Sequence, residues 1–331
     1  MDLAAPALHP GILDIDAAAE VERIAHALRS ALTGELRRRG LIVAMSGGVD
    51  SSVCAALAVR AVGASKVHAL MLPEHESSDF SLTRAQALAQ QLGIEYTVEA
   101  IGPALEAIGC YARRDAAMRE VFPAYASTWK SKISIAGGRD GGFNYFKLTV
   151  QSPDGKLHEA RLPHKQYLQV VAATSFKQRL RKTMEYYHAD RLHYAVVGTP
   201  NRLEYDQGFF VKNGDGSADL KPIAHLYKTQ VYALARHLDI PREIREAPPT
   251  TDTYTLDQGQ DEFYFALRHD RMDVALWAYN HGIPAAELEA FLELPAGTGA
   301  YVYRDIESKR AATRYLHARP VLVEPLPELG H

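Results

Sequence analysis

The chain has 331 residues, 47% of them hydrophobic and 23% charged, with a formal net charge of −3. That is enough chain for one large α/β domain, or one domain with an appendage, and the near-neutral charge gives no electrostatic reason to expect nucleic-acid or membrane binding. Two cysteines without C-x-x-C or zinc spacing, no apolar stretch of bilayer length and no signal-peptide pattern at the start lead us to expect a cytoplasmic protein.

Val21, Ile24, Ala25, Leu28 and Leu32 stand at helical spacing and predict a first helix after Leu13, with Asp14 or Asp16 as N-cap. Residues 41–45 predict the first strand, and the apolar pattern from Val53 to Val59 predicts a helix soon after it. A second βα unit follows, with a strand at 67–72 and a helix through Ala85, Leu88, Ala89 and Leu92 closed by Gly93; residues 95–98 read as a third strand. This alternation predicts an α/β fold, a Rossmann-like parallel sheet with helices on both faces and ligands bound beyond the carboxyl ends of its strands.

Residues 126–163 break the rhythm. Segments 132–135, 143–150 and 158–162 are strand-like, and Pro153-Asp154-Gly155 is a turn signal between the last two. A small antiparallel hairpin inserted into the α/β domain is expected, with Trp129, Lys130, Lys132 and Arg139 as exposed candidates. Beyond it the pattern predicts a helix at 167–187, a strand at 192–198, a helix at 228–238 ending before Pro241, and a mainly helical tail. The expected organisation is an α/β domain over 1–265 carrying the insertion, and a helical extension over 266–331 packed on it.

The chemistry concentrates at the strand ends. Between the first strand and its helix lies Met45-Ser46-Gly47-Gly48-Val49-Asp50-Ser51-Ser52. A tight Gly turn entering a helix presents unpaired N–H groups and the positive end of the helix dipole, which suits an anion. Asp50 is misplaced for a bare phosphate site and makes sense if a divalent cation accompanies the phosphates. The Walker pattern is absent, so this is a phosphate loop of another kind, or else an ordinary Gly-rich turn. Gly198-Thr199-Pro200-Asn201-Arg202-Leu203-Glu204 also follows a strand, which should bring Glu204 to the sheet edge of Asp50. Two carboxylates on separate loops can share one Mg2+ over nucleotide phosphates; the bland alternative is a pair of solvated loop acids. Lys212 and Lys228 flank the Gly/Asp-rich stretch 213–222, as ligand-wrapping groups or as solvated surface. Its Gly-Asp-Gly lacks the other ligands of a calcium loop, so calcium is rejected.

The Ser-Gly-Gly loop resembles that of N-type ATP pyrophosphatases, and the wider pattern resembles the ammonia-dependent NAD synthetases. The shared motifs stand in family order at residues 46–51, Arg179-Leu180-Arg181, 198–204, 212–222, 226–231 and 248–252. The resemblance implies that Ala44, Met45, Ser46, Gly47, Gly48, Val49, Asp50 and Ser51, with Thr199, Lys228 and Thr250, hold ATP. It implies Asp50 and Glu204 as Mg2+ ligands, Asp50 and Lys228 as the catalytic pair, and Arg179, Lys212, Asp219 and Lys309 as contacts to deamido-NAD+. The implied reaction adenylates the nicotinate carboxylate with release of pyrophosphate, and ammonia then displaces AMP to give NAD+. A homodimer with the acid at the subunit interface is implied too. Residues before the loop are too few for a glutaminase domain, so ammonia is expected free or from a separate subunit.

Departures fall on the acid side: Ser175 for the usual Asn, Ala247 for a Lys or similar residue, Ser308 before Lys309, and no Leu-Gly after Asp261-Glu262. The alternatives are therefore the same chemistry on another carboxylate, or a nucleotide-binding protein without catalysis. A tRNA thiolase is disfavoured by the lack of a catalytic Cys pair or basic RNA surface.

Overall fold

The computed structural model describes residues 7–136, 145–248, 254–256, 258–259 and 264–324. Four strands, β1 (Leu41–Ala44), β2 (Val67–Met71), β3 (Glu95–Val98) and β7 (Ala195–Val197), form a parallel sheet of order β3-β2-β1-β7. Register pairs Leu41 with Val67 on one side and with Ala195 on the other. β1 and β7 are apolar on both faces because both are covered, β2 is so apart from His68, and the edge strand β3 is mixed and partly exposed. Leu41, Val43, Val67, Ala69, Met71, Ala195 and Val197 enter one core, and the intervening Ile42, Leu70 and Val196 enter another.

The first core is closed by α1 (Ala17–Ser30), α2 (Val49–Val62), α3 (Asp79–Leu92) and α8 (Lys228–His237). Asp16 is the N-cap of α1, its carboxylate accepting from Ala19 N at 3.0 Å. Gly93 closes α3 in the left-handed conformation, as its position after the apolar pattern predicts. On the other face lie α4 (Gly102–Ala107), α5 (Cys110–Arg119) and α6 (His164–Leu192). Helix α6 has 29 residues, extending past the expected 167–187 at both ends. Leu192, read from sequence as the first residue of a strand, ends this helix instead, and left-handed His193 caps it. Short α7 (Arg202–Gln207) and α9 (Arg242–Arg245) follow β7 and α8.

The expected hairpin region holds three strands, β4 (Lys130–Ala136), β5 (Tyr145–Gln151) and β6 (Leu157–Arg161), in an antiparallel sheet of order β4-β5-β6. Its inner face packs Ile133, Leu148 and Val150 on Ala117 and Met118 of α5 and Val170 of α6. Trp129 is half-buried against this core and tilted on His158 at 5.8 Å, so it is not the exposed group expected. Lys130 is exposed, and Arg139 lies outside the described residues. The tail forms α10 (His269–Asn280), α11 (Ala285–Phe291) and α12 (Thr298–His317), whose core includes Leu203 of α7 and Tyr227 before α8. No described helix is long and apolar enough to cross a membrane.

Candidate active site

Sheet order places the site. The chain leaves β1 toward β2 on one side and meets β7 on the other, so the crevice at the carboxyl ends of β1 and β7 is the switch point. The Ser-Gly-Gly loop enters it from β1 and residues 198–204 enter it from β7.

Hydroxyls fold the first loop on itself. Ser46 N donates to Ser51 Oγ at 3.3 Å, Gly48 N to Ser46 Oγ at 3.3 Å, and Ser52 Oγ to Gly48 O at 2.8 Å. Gly47 has φ +78°, and a Cβ there would collide with the Ser81 carbonyl, so the turn needs glycine on both counts. Asp50 sits in the first turn of α2, and its carboxylate is paired with the Lys228 ammonium.

Lys228 is 2% exposed. Burial pulls its pKa down, but Asp50 and then Glu204 outweigh that and hold it above the ordinary lysine range. It is a fixed cation at the first position of α8. Asp273 of α10, fully buried, caps that helix end: Lys228 N and Thr229 N donate to its two oxygens at 3.1 and 2.7 Å. Burial pushes the Asp273 carboxyl up to about 7, against the pull of these two N–H groups and of Lys228.

Glu204 is the third residue of α7 and forms a capping box with Asn201: Glu204 N donates to Asn201 Oδ1 at 3.3 Å, and Asn201 N to Glu204 Oε2 at 3.1 Å. The same Asn201 donates from Nδ2 to Asp50 Oδ1 at 3.2 Å. Asn201 thus ties together the two carboxylates expected to share a cation, its side-chain amide holding Asp50 and its backbone N–H holding Glu204. Sequence reading passed over Asn201 and Asp273. The Asn-x-x-Glu spacing signalled the first, and a single acid interrupting the apolar run 272–279 signalled the second.

Two cavities adjoin across Ser46, Ser51, Gln178, Arg181 and Thr199. One, of about 250 Å³, is walled by Ala44, Met45, Leu70, Met71, Leu72 and Val197 at the strand ends. The other, of about 330 Å³, contains Asp50, Glu204 and Gly48, with Tyr167, Phe209, Phe210, Tyr254 and Tyr264 as aromatic walls. The first suits a flat apolar base and the second an anionic group beside a cation. Val49 is buried behind the loop.

The four expected acid-substrate contacts line neither cavity. Arg179 is exposed on α6 and donates to Lys212 O at 3.3 Å, while Lys212 Nζ donates to Tyr315 O at 2.6 Å and Ala318 O at 3.2 Å, capping the end of α12. Asp219 accepts from Val196 N at 2.7 Å and from the Tyr186 hydroxyl at 3.2 Å, securing the return of the Gly/Asp-rich loop beside β7. Lys309 is buried behind Tyr264, donating to its carbonyl and to Asp305 at 2.5 Å each. Thr250 lies outside the described residues.

A family model for NAD synthase matches residues 20–122 and 142–315. An NH(3)-dependent NAD(+) synthetase of Rhizobium meliloti is 57% identical over 318 residues, spanning 96% of this chain and 95% of the relative. Among solved structures, an NH3-dependent NAD synthetase from Campylobacter jejuni has a TM-score of 0.61 at 18% identity, covering 94% of this chain and 100% of its own. An NMN synthetase from Francisella tularensis has a TM-score of 0.60 at 22% identity, covering 93% and 99%. At those identities the two structures show the shared fold alone. The family match and the identity along nearly the whole chain show that this protein belongs to the NAD synthase family.

Proposed function

We propose that this chain is an ammonia-dependent NAD+ synthetase that adenylates the carboxylate of deamido-NAD+ with ATP and then amidates it. The observation that carries this reading is the junction of Asp50, Asn201, Glu204 and Lys228 at the ends of β1 and β7, in a chain 57% identical to a named synthetase.

Residues 44–51 and Thr199, with Thr250, bind the nucleotide, its base in the smaller cavity and its phosphates over the first turn of α2. Asp50 and Glu204 fit a Mg2+ ion: both are hard oxygen donors facing one cavity, and the ion's other positions remain for phosphate oxygens and water. When bound, the ion neutralises the triphosphate and withdraws electron density from it. A carboxylate oxygen of the acid attacks the α-phosphorus, the bond to the bridging oxygen of the β-phosphate breaks, and pyrophosphate leaves. Lys228, cationic at all relevant pH, stabilises charge gathering on that leaving group. Ammonia nitrogen then attacks the acyl carbon, the C–O bond to AMP breaks, and the nitrogen loses its extra proton. No protein nucleophile is required, and Cys54 and Cys110 are buried.

Arg179, Lys212, Asp219 and Lys309 would bind deamido-NAD+ from outside the cleft. Exposed Arg179 and Asp219 fit a homodimer in which the acid reaches the site across the subunit interface. Ammonia enters free or from a separate subunit. The cytoplasm is the compartment that suits two free buried thiols.

The test is incubation with ATP, Mg2+, an ammonium salt and deamido-NAD+. NAD+, AMP and pyrophosphate should form one for one. Failure to convert deamido-NAD+, with turnover of a different carboxylate such as nicotinic acid mononucleotide, would overturn the choice of acid.

A further inference from the structure

The family match breaks between residues 122 and 142, and strand β4 lies wholly within that break. β4 is an edge strand whose inner side pairs with β5. Its outer side holds a second stretch of chain. Ser131 N donates to Thr255 Oγ1 at 2.7 Å, Leu256 N donates to Ser131 O at 3.1 Å, and Gln258 Nε2 donates to Ile133 O at 2.6 Å. Ser131 and Ile133 are fully buried and Gln258 is 4% exposed. The bond to Ile133 is buried and the bond to Thr255 partly so, which makes them costly to lose.

Tyr254 immediately precedes this anchored stretch. Its ring packs in the core shared by the small sheet, α5 and α6, and also walls the cavity that contains Asp50 and Glu204. Burial, with Tyr167 nearby, holds its phenol above the ordinary tyrosine range, so it faces the cavity as a neutral group. A strand outside the family match therefore holds the stretch that follows Tyr254, a wall of the cavity containing Asp50 and Glu204.

We propose that β4 is a positioning strand for the acid substrate: through Thr255, Leu256 and Gln258 it sets Tyr254 as the surface against which the acid's ring rests. The inference builds on the synthetase reading. It makes Tyr254 a residue that determines affinity for the acid, and Thr255 and Gln258 residues that act through it.

Two readouts test the proposal. In the full-length wild type and in Thr255→Val, hydrogen exchange at residues 254–259 reports the grip of β4 without any ligand. Exchange should quicken about tenfold in the variant, the effect of about one buried hydrogen bond, and return to the wild-type rate in Thr255→Ser. Steady-state kinetics report the consequence: the KM for deamido-NAD+ should rise about tenfold in Thr255→Val and at least as much in Tyr254→Ala, with ATP affinity unchanged. A general loss of structure would raise both constants and lower the melting temperature. Unaltered exchange in Thr255→Val overturns the grip. Faster exchange with an unchanged KM, or an equal loss of ATP affinity, overturns the positioning role. A wild-type enzyme that fails to turn over deamido-NAD+ refutes the synthetase reading instead, and exchange still decides whether β4 holds the wall.

Discussion

Asn201→Ala removes the side-chain amide that ties the Asp50 carboxylate to the first turn of α7, which carries Glu204. Asn201 is 1% exposed, and its amide is engaged at both ends: Oδ1 accepts from Glu204 N and Nδ2 donates to Asp50 Oδ1. Truncation loses a helix cap, costing about 1 kcal/mol, and a hydrogen bond to a charged group, costing about 2 kcal/mol. Asp50 keeps Lys228, so the pair would survive while its orientation toward Glu204 is lost. If that orientation is used in the transition state, the lost bond to Asp50, about 2 kcal/mol, corresponds to about thirtyfold in kcat/KM, while the lost cap lowers stability. The assay is pyrophosphate release at varied Mg2+. The half-saturating Mg2+ concentration should rise with the loss in rate, and Asn201→Asp should fail to rescue because it adds a third negative charge. A variant within twofold of wild type at every Mg2+ concentration would refute the view that Asn201 couples the two carboxylates.

Lys228→Met keeps most of the length of the side chain and removes its charge. The rate of pyrophosphate release should fall at least about a hundredfold while the affinity for deamido-NAD+ is retained; a parallel loss of acid affinity would point to a disrupted fold. Asp273 should make stability depend on pH. Burial pushes its folded carboxyl up to about 7 from the ordinary 3.8, so the neutral form is favoured in the fold. The stability it contributes is full below about pH 4 and is lost as pH rises through about 7, a change on the order of 4 kcal/mol. Thermal melting between pH 4 and 8 should therefore decline more steeply in wild type than in Asp273→Asn, and superimposable slopes would contradict this.

Local signals made the main sheet legible. The apolar run at 41–44 and the run at 67–71, broken only by His68, mark strands buried on both faces, and the glycines at 47 and 48 mark the turn into α2. Both loops of the site follow strands, so their meeting at one sheet edge follows from topology alone. Asn201 and Asp273 escaped notice because their roles are set by partners about 150 and 45 residues away, a separation to which local patterning is blind. The stretch docked on β4 was hidden for the same reason, whereas all three strands of the small sheet were legible as strand-like segments. At Leu192 the apolar run 194–197 drew the strand too far toward the N-terminus, where tertiary packing extends α6 instead. The acid-side residues show the limit of motif transfer. Lys212, Asp219 and Lys309 each have hydrogen-bond partners within the protomer, so matching the motif did not place them in the cleft.

Isotope exchange between labelled pyrophosphate and ATP tests the central claim most directly. If the enzyme forms an acyl adenylate, label should enter ATP in the presence of Mg2+ and deamido-NAD+ without any ammonia, and exchange should vanish in Asp50→Ala. Exchange that proceeds without the acid, or cleavage of ATP to ADP and phosphate, would contradict the account.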